Sequence, residues 1–328
     1  MLGRVVVLLV SYFIAVSGDI HNDNREEHWG YHDHNGPSDW ASLYPTCGGS
    51  HQSPINIITS DLVHTWIDPY HFHNYEQNVQ QIKLTNTGHS VNVEVIFANE
   101  APYINGGGLG DDYILKQFHF HWGSISSQGS EHNVDSTRYP MEIHNVFYKS
   151  SYGSYDEATA HSDGIAVLAV FVSIATDDNS QLQNIINFIP EVNQAESTFV
   201  GDVDLNLKAL LPMTTHSFYW YRGSFTTPGC NEVVTWTVFK EPITISESQL
   251  DVFRNLLDSD NMQMQDNFRP TQPLNDRVVY TSSVGDSGNY AGPGSTSNKP
   301  GVGDDSSSNK PGVDGGVEQA TTNKPYEL

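Results

Sequence analysis

Cysteine is nearly missing from this chain of 328 residues, which has only Cys47 and Cys230. Two thiols are too few for a structural zinc site built on thiolates. Cations are scarce as well: 15 Lys and Arg stand against 39 Asp and Glu, for a formal charge of −24. Phosphate recognition needs clustered Lys and Arg, so nucleic acid is excluded as a partner. Beyond the N-terminal segment no stretch is long and apolar enough to cross a bilayer, and no hydrophobic tail of a lipid-anchor signal closes the chain. Asn-x-Ser/Thr is absent too, so N-glycosylation is not expected.

The chain opens MLGRVVVLLVSYFIAVSGD. Arg4 gives a short positive start, Val5 to Val16 an apolar run, and Ala15-x-Ser17 the small residues suited to cleavage. A run of about a dozen residues is too short for a comfortable membrane span. Residues 1–17 are therefore expected to be a secretory signal, and the mature protein to be soluble and extracellular. In an oxidising compartment one disulfide is the favoured reading of two cysteines, with two buried free thiols as the alternative. Such a bridge would close a loop of about 180 residues, for which the chain-entropy model gives roughly 5 kcal/mol.

From 28 to 283 the composition is that of one globular domain, large enough for a substantial core. Short runs rich in β-branched and aromatic residues dominate, at 81–85, 90–98, 113–122, 141–149, 164–173, 217–225 and 233–240. Helical patterning is weaker, best at 180–189 and at 246–257, where Ser246-Glu247-Ser248-Gln249 reads as a capping box. The expected architecture is mostly β: a large, mainly antiparallel sheet with a few helices around it. Residues 284–328 differ, with Gly, Ser, Asp and Pro dominant and Asn-Lys-Pro three times. That composition predicts a disordered tail, either a plain flexible one or a mineral- or matrix-binding repeat. It carries six acidic residues and three lysines, so about −21 of the charge belongs to the rest. The acidic surface is either simply solvated or a loose holder of divalent cations such as calcium.

The stretch FHFHWGS places His119 and His121 two apart, on one face of a strand. The spacing alone is weak, because His32/His34 and His71/His73 share it. A third histidine decides between them. His144 lies in the strand-like MEIHNVF and can join the first two if the strands are neighbours. Three histidines with an open fourth position make a catalytic zinc arrangement. The other two pairs have no third partner and are read as surface residues. Gln117 and Glu142 each stand two residues before a ligand, placed to accept its second N–H.

The segments HWGYHDHNGP, HQSPINI, TNTGHSVNVEV, QFHFHWGS, QGSEHNVD, EIHNVF, FTTPGCNEVVTW and FRPTQPLNDR together resemble an α-class carbonic anhydrase, in order and spacing, from about 28 to 279. The resemblance implies a central ten-stranded, largely antiparallel twisted sheet with one Zn²⁺ held by His119, His121 and His144, and a Cys47–Cys230 bridge. It implies reversible hydration of CO₂ to bicarbonate through a zinc-bound hydroxide. This family is itself a standard example of that zinc chemistry, so the chemistry is carried over with the resemblance. Thr226 and Glu131 match the pair that orients the hydroxide. Thr226 and Thr227 match positions that contact bicarbonate, and Val146, Val167, Phe225 and Trp236 match the CO₂ pocket. An acid of pKa near 7 gives its proton to water at only about 10³ per second, whereas fast zinc enzymes turn over at about 10⁶ per second. A relay is therefore needed. His89 matches the shuttle, with Tyr31 and Asn92 ordering the waters, and Thr87 standing where some members carry Asn. A binding-only relative that has lost catalysis and a matrix protein supplying bicarbonate to growing carbonate mineral are the alternatives from other classes.

Overall fold

The computed structural model describes residues 28–282 except 78 and 98. The expected signal at 1–17 and tail at 284–328 lie outside the described residues. Among these, one sheet of thirteen strands forms the body. Ten run in a continuous path: β1 (Val63–Thr65), β2 (Val79–Asn86), β3 (Val91–Ile96), β4 (Leu109–Trp122), β5 (Met141–Lys149), β6 (Ile165–Ala175), β7 (Thr198–Leu205), β8 (Phe218–Gly223), β9 (Val234–Phe239) and β10 (Tyr280–Ser282). Their spatial order is β7-β2-β3-β4-β5-β6-β9-β8-β10-β1. Only the β6–β9 and β10–β1 junctions on this path are parallel, so the largely antiparallel expectation holds. Strands His71–His73, Tyr103–Gly106 and Ile243–Ser246 attach off the path.

Alternation of side chains sorts this sheet into two apolar layers. Phe118, Phe120, Ile143, Leu168 and Val170 face a layer that also takes Leu250 and Phe253. Val146, Val167, Phe171, Tyr221 and Trp236 face the other. Covered on both sides, β6 is buried from Ile165 to Val172 and reads as an unbroken apolar run. β4 changes faces partway along. Leu115 pairs with Phe147 but Gln117 with Val146, so one extra residue is inserted between these pairs. A one-residue slip moves every later side chain to the opposite face. Beyond this bulge Gln117, His119 and His121 all point to the second layer.

The helix Glu247–Arg254 opens with the expected capping box, Ser246 and Gln249 each accepting the other's backbone N–H. The helix expected over 180–189 shrinks to Gln183–Ile186, followed by a 3₁₀ turn at Ile189–Val192. Pro190 has no N–H to continue an α-helical ladder, which explains the break. Cys47 and Cys230 are joined in a disulfide, with Cα atoms 4.9 Å apart. The bridge ties the N-terminal segment to the loop after Thr226.

Candidate metal centre

Register brings the three histidines together. β4 and β5 are antiparallel neighbours in which His119 stands opposite His144, His121 opposite Glu142, and Gln117 opposite Val146. One ring nitrogen from each of His119, His121 and His144 lies within 4.8 Å of the others. The second nitrogen of each ring is engaged elsewhere. His119 Nδ1 is 3.0 Å from Gln117 Oε1, His121 Nδ1 is 2.7 Å from the Asn267 carbonyl, and His144 Nε2 is 2.7 Å from Glu142 Oε1. Each acceptor fixes its ring as the tautomer with a bare nitrogen toward the centre. His121 Nε2 is buried with no hydrogen-bond partner, an orphan that a cation would satisfy.

Electrostatics agree with this assignment of tautomers. Burial, helped by the neighbouring His121 and His144, holds the His119 pKa well below the usual imidazole value. His144 is also pushed down by burial, against the pull of Glu142. Neutral imidazole is the form that ligates metal. Burial alone would raise the Glu142 carboxyl, but the charges and hydrogen bonds of His132 and His144 hold it well below the carboxylate range. His132, Glu142 and His144 also lie within metal-binding distance of one another. Their contacts are hydrogen bonds, with Glu142 Oε1 accepting from His132 Nδ1 at 2.7 Å as well as from His144. They support the first cluster and do not form a second one. Three ring nitrogens on one face, each ring backed by an acceptor, fit a zinc ion of the catalytic, three-histidine kind.

Of the other candidate residues, Glu131, Trp236 and Asn92 stand beside a ligand histidine. Glu131 is fully buried, with Oε1 accepting from the Arg269 backbone N–H at 2.8 Å. Its Oε2 has no hydrogen-bond partner and lies 3.5 Å from His121 Nε2. Thr226 is buried, but no hydrogen bond joins it to Glu131 among the described residues. The Thr227 carbonyl accepts from the Cys230 N–H at 2.9 Å, closing the turn that leads to the disulfide. Val146, Val167 and Trp236 form one row across β5, β6 and β9, since Val167 pairs with both of the others. Trp236 meets His144 edge-on at 4.9 Å, and half-buried Phe225 packs on the same layer. Asn92 stands opposite His119 in register. Tyr31 lies edge-on to Trp29 and Trp40. Burial first, and then the Glu131 charge, raise its phenol pKa well above the usual value. The Thr87 hydroxyl bonds within its own turn, to the Ser90 carbonyl and N–H at 3.1 Å each.

His89 stacks on Trp29, with centroids 3.6 Å apart and planes within 11°. Its Nε2 faces the Trp29 carbonyl at 2.7 Å and its Nδ1 the Thr87 carbonyl at 3.1 Å. Two histidines expected at the surface are not fully so. His73 is half-buried against Tyr103, with centroids 4.3 Å apart, and His32 is paired with Asp258 at 2.7 Å. A stacking partner and a distant carboxylate cannot be seen in His-x-His spacing.

Three supporting residues escaped the sequence reading. Asn267 accepts from His121 through its carbonyl and from the Trp122 N–H through its side chain, and donates to the His89 carbonyl at 2.9 Å. Arg269, with its guanidinium on the Cys47 and Ser53 carbonyls, holds the segment whose N–H anchors Glu131. His132 bridges Glu142 to the Tyr221 hydroxyl at 2.7 Å. His132 and Arg269 stand inside the motifs QGSEHNVD and FRPTQPLNDR, and Asn267 just before the second; their partners are more than 80 residues away or on another strand.

A large sheet carrying a three-histidine centre, with the apolar row of Val146, Val167 and Trp236 beside it, defines a metalloenzyme of the catalytic type. The model of the eukaryotic-type carbonic anhydrases matches residues 35–283, and the chain belongs to that family. It is 41% identical to carbonic anhydrase 7 of Mus musculus and 42% identical to carbonic anhydrase 7 of Homo sapiens. Each match runs over 261 residues, covering 77% of this chain and 97% of the relative. The family is zinc-dependent, and the residues that would hold the ion are the three histidines above.

Proposed function

We propose that this chain is a secreted zinc carbonic anhydrase that hydrates CO₂ reversibly and exports the product proton through His89. The observation that carries this reading is the pair of buried orphans: His121 Nε2 among the three histidines, and Glu131 Oε2 beside it. Bound there, zinc supplies Lewis-acid activation of a water at neutral pH, a property established on this family itself. The chain's own residues do the rest. Glu131, held by the Arg269 N–H, keeps one carboxylate oxygen free to accept a hydrogen bond from the Thr226 hydroxyl, which would in turn accept one from the attacking group and fix its direction. Val146, Val167, Phe225 and Trp236 give CO₂ an apolar wall, suited to a substrate with little to hydrogen-bond. Thr227 lies next to Thr226 to contact bicarbonate. Tyr31, Asn92 and Thr87 line the route by which waters lead to His89.

The Cys47–Cys230 bond supports the extracellular reading, because disulfides persist in oxidising compartments. A second reading, motivated by the charge of −24, adds bicarbonate supply at a calcium carbonate surface to the enzyme activity. Calcium titration of the purified protein tests it, and no binding at millimolar calcium would sink it. Stopped-flow CO₂ hydration, run before and after zinc removal by a chelator, tests the main proposal. Activity should vanish with the metal and return with added zinc. A folded, zinc-loaded protein without activity would overturn it.

A further inference from the structure

The short segment 266–269 touches several parts of the site in succession. Asp266, with its backbone in the left-handed region at φ 57°, accepts the Ser124 N–H at 2.9 Å and Gln128 Nε2 at 3.0 Å, which seats the loop after β4. Arg269 ends the segment with its N–H on Glu131. Between them Asn267 is 1% exposed. Its carbonyl takes His121 Nδ1 and its Oδ1 the Trp122 N–H at 2.8 Å. Its Nδ2 donates to the His89 carbonyl at 2.9 Å and, at 3.4 Å, to that of Phe120. One N–H donor and two carbonyls leave this amide a single orientation. Turned over, it would set NH₂ against N–H and oxygen against two carbonyls. The turn that carries His89 has other anchors. Asn86 Oδ1 takes the Gly88 N–H at 2.8 Å, the Gly88 carbonyl takes the Ser259 N–H at 3.1 Å, and Ser90 Oγ donates to the Phe120 carbonyl at 2.6 Å. Among these anchors, and among the described residues, Asn267 alone also bonds a ligand histidine.

We propose that the Asn267 side chain is a positioning residue for the shuttle: it sets the backbone of the His89 turn against the ligand strand β4, so that one residue both aims His121 and fixes the point from which the His89 ring reaches. The inference rests on the reading of His89 as the shuttle. Two elements hold that residue from different sides. Trp29 stacks on its ring with centroids 3.6 Å apart, and Asn267 takes its backbone carbonyl. The neighbouring anchors act on Gly88 and Ser90, and the orientation of the His89 carbonyl depends on Asn267. Position matters because a relay works over a fixed span, and a misplacement of about 1 Å can cost up to about 10²-fold in rate. A buried amide bonded to the turn and to β4 at once prevents such a drift. Losing the amide donor would leave the His89 carbonyl unpaired in a buried place, and the turn would shift to find another partner.

The test uses the full-length, zinc-loaded enzyme and the variants Asn267→Asp, His89→Ala and their combination. Aspartate keeps an acceptor for the Trp122 N–H but turns a second oxygen toward the His89 and Phe120 carbonyls, so the turn is pushed away. In Asn267→Asp, stopped-flow CO₂ hydration in sparse buffer should show kcat lower by roughly three- to tenfold. Abundant imidazole buffer, which bypasses the shuttle, should restore it. Amide hydrogen exchange should quicken in the peptide covering 86–90. In the His89→Ala background the aspartate should cost nothing further. Loss in His89→Ala with none in Asn267→Asp, or unchanged exchange at 86–90, would overturn the inference and leave the shuttle standing. No loss in His89→Ala would overturn both. A loss that buffer does not rescue, or that persists on top of His89→Ala, would place the effect at the metal centre and overturn the inference as well. Should Asn267→Asp not fold, Asn267→Ser, uncharged and too short to reach the His89 carbonyl, carries the same predictions.

Discussion

Replacing Glu142 by Gln tests whether the carboxylate behind His144 sets the metal affinity. Glu142 is fully buried and accepts three hydrogen bonds: His144 Nε2 and His132 Nδ1 on Oε1, both at 2.7 Å, and the His132 backbone N–H on Oε2 at 2.9 Å. Glutamine has one accepting oxygen. If that oxygen takes the Oε1 place, its NH₂ meets the His132 N–H donor to donor. One unmade buried bond then costs about 1–3 kcal/mol. If the amide flips, the NH₂ faces His144 Nε2, and that ring must move its proton to Nδ1, the nitrogen needed by the metal. Either way His144 becomes a poorer ligand. The general loss for such a supporting group is about 10- to 100-fold in affinity, a range partly drawn from this family, and it corresponds to roughly 1.4–2.7 kcal/mol. Competition between the protein and a chelator of known affinity measures it directly. Zinc affinity within twofold of the parent would refute the reasoning.

Removing the bridge by Cys47→Ser with Cys230→Ser frees a loop closed over a sequence separation of 183. The chain-entropy model puts the loss at up to about 5 kcal/mol, to be read from chemical denaturation under non-reducing conditions; a loss below about 1 kcal/mol would contradict it. Ser246→Ala breaks one half of the capping box and should cost about 1 kcal/mol, seen as a lower denaturation midpoint with unchanged slope. Stability should also fall toward acid. Burial lowers the His89 pKa, so the unfolded chain binds that proton more tightly and stability is lost as the pH drops below about 6.5. The Glu247 carboxyl is lowered by Arg254 and Ser126, and Asp163 by Lys149 and Tyr152. Their contribution is present above about pH 4 and is lost as the pH falls through their folded values. Melting temperatures rising between pH 7 and pH 5 would rule this out.

The inner strands were legible because each one alternates or is wholly apolar. Met141–Lys149 runs as expected, and β6 and β9 differ from expectation by only a residue or two at their ends. The strand β7 was missed because it is an edge strand, with exposed Thr198, Val200, Asp202 and Asp204 on its outward face. Such a strand looks like a polar loop. Strands of three or four residues, such as β1, β10 and Ile243–Ser246, carry too few positions for any period to show. At the centre, the ligands and the acceptors Gln117 and Glu142 were readable because they share strands. The bulge in β4 was not readable, although it decides which face His119 and His121 occupy. Asn267 and Arg269 were invisible for a different reason: each acts through backbone groups brought close only by the completed fold.

The pairing of His119 with His144 has a consequence for the order in which the enzyme matures. These two ligands are 25 residues apart, on strands that are sheet neighbours. Asn267, which orients His121, comes from 146 residues away. Loop closure over the longer span costs about 1.6 kcal/mol more than over the shorter one. A paired β4 and β5 already displays all three imidazoles and two of their acceptors, Gln117 and Glu142, while the Asn267 carbonyl that locks His121 comes from the far end of the longer loop. Zinc can therefore be captured by a partly folded chain and then serve as the template on which the distant loops close.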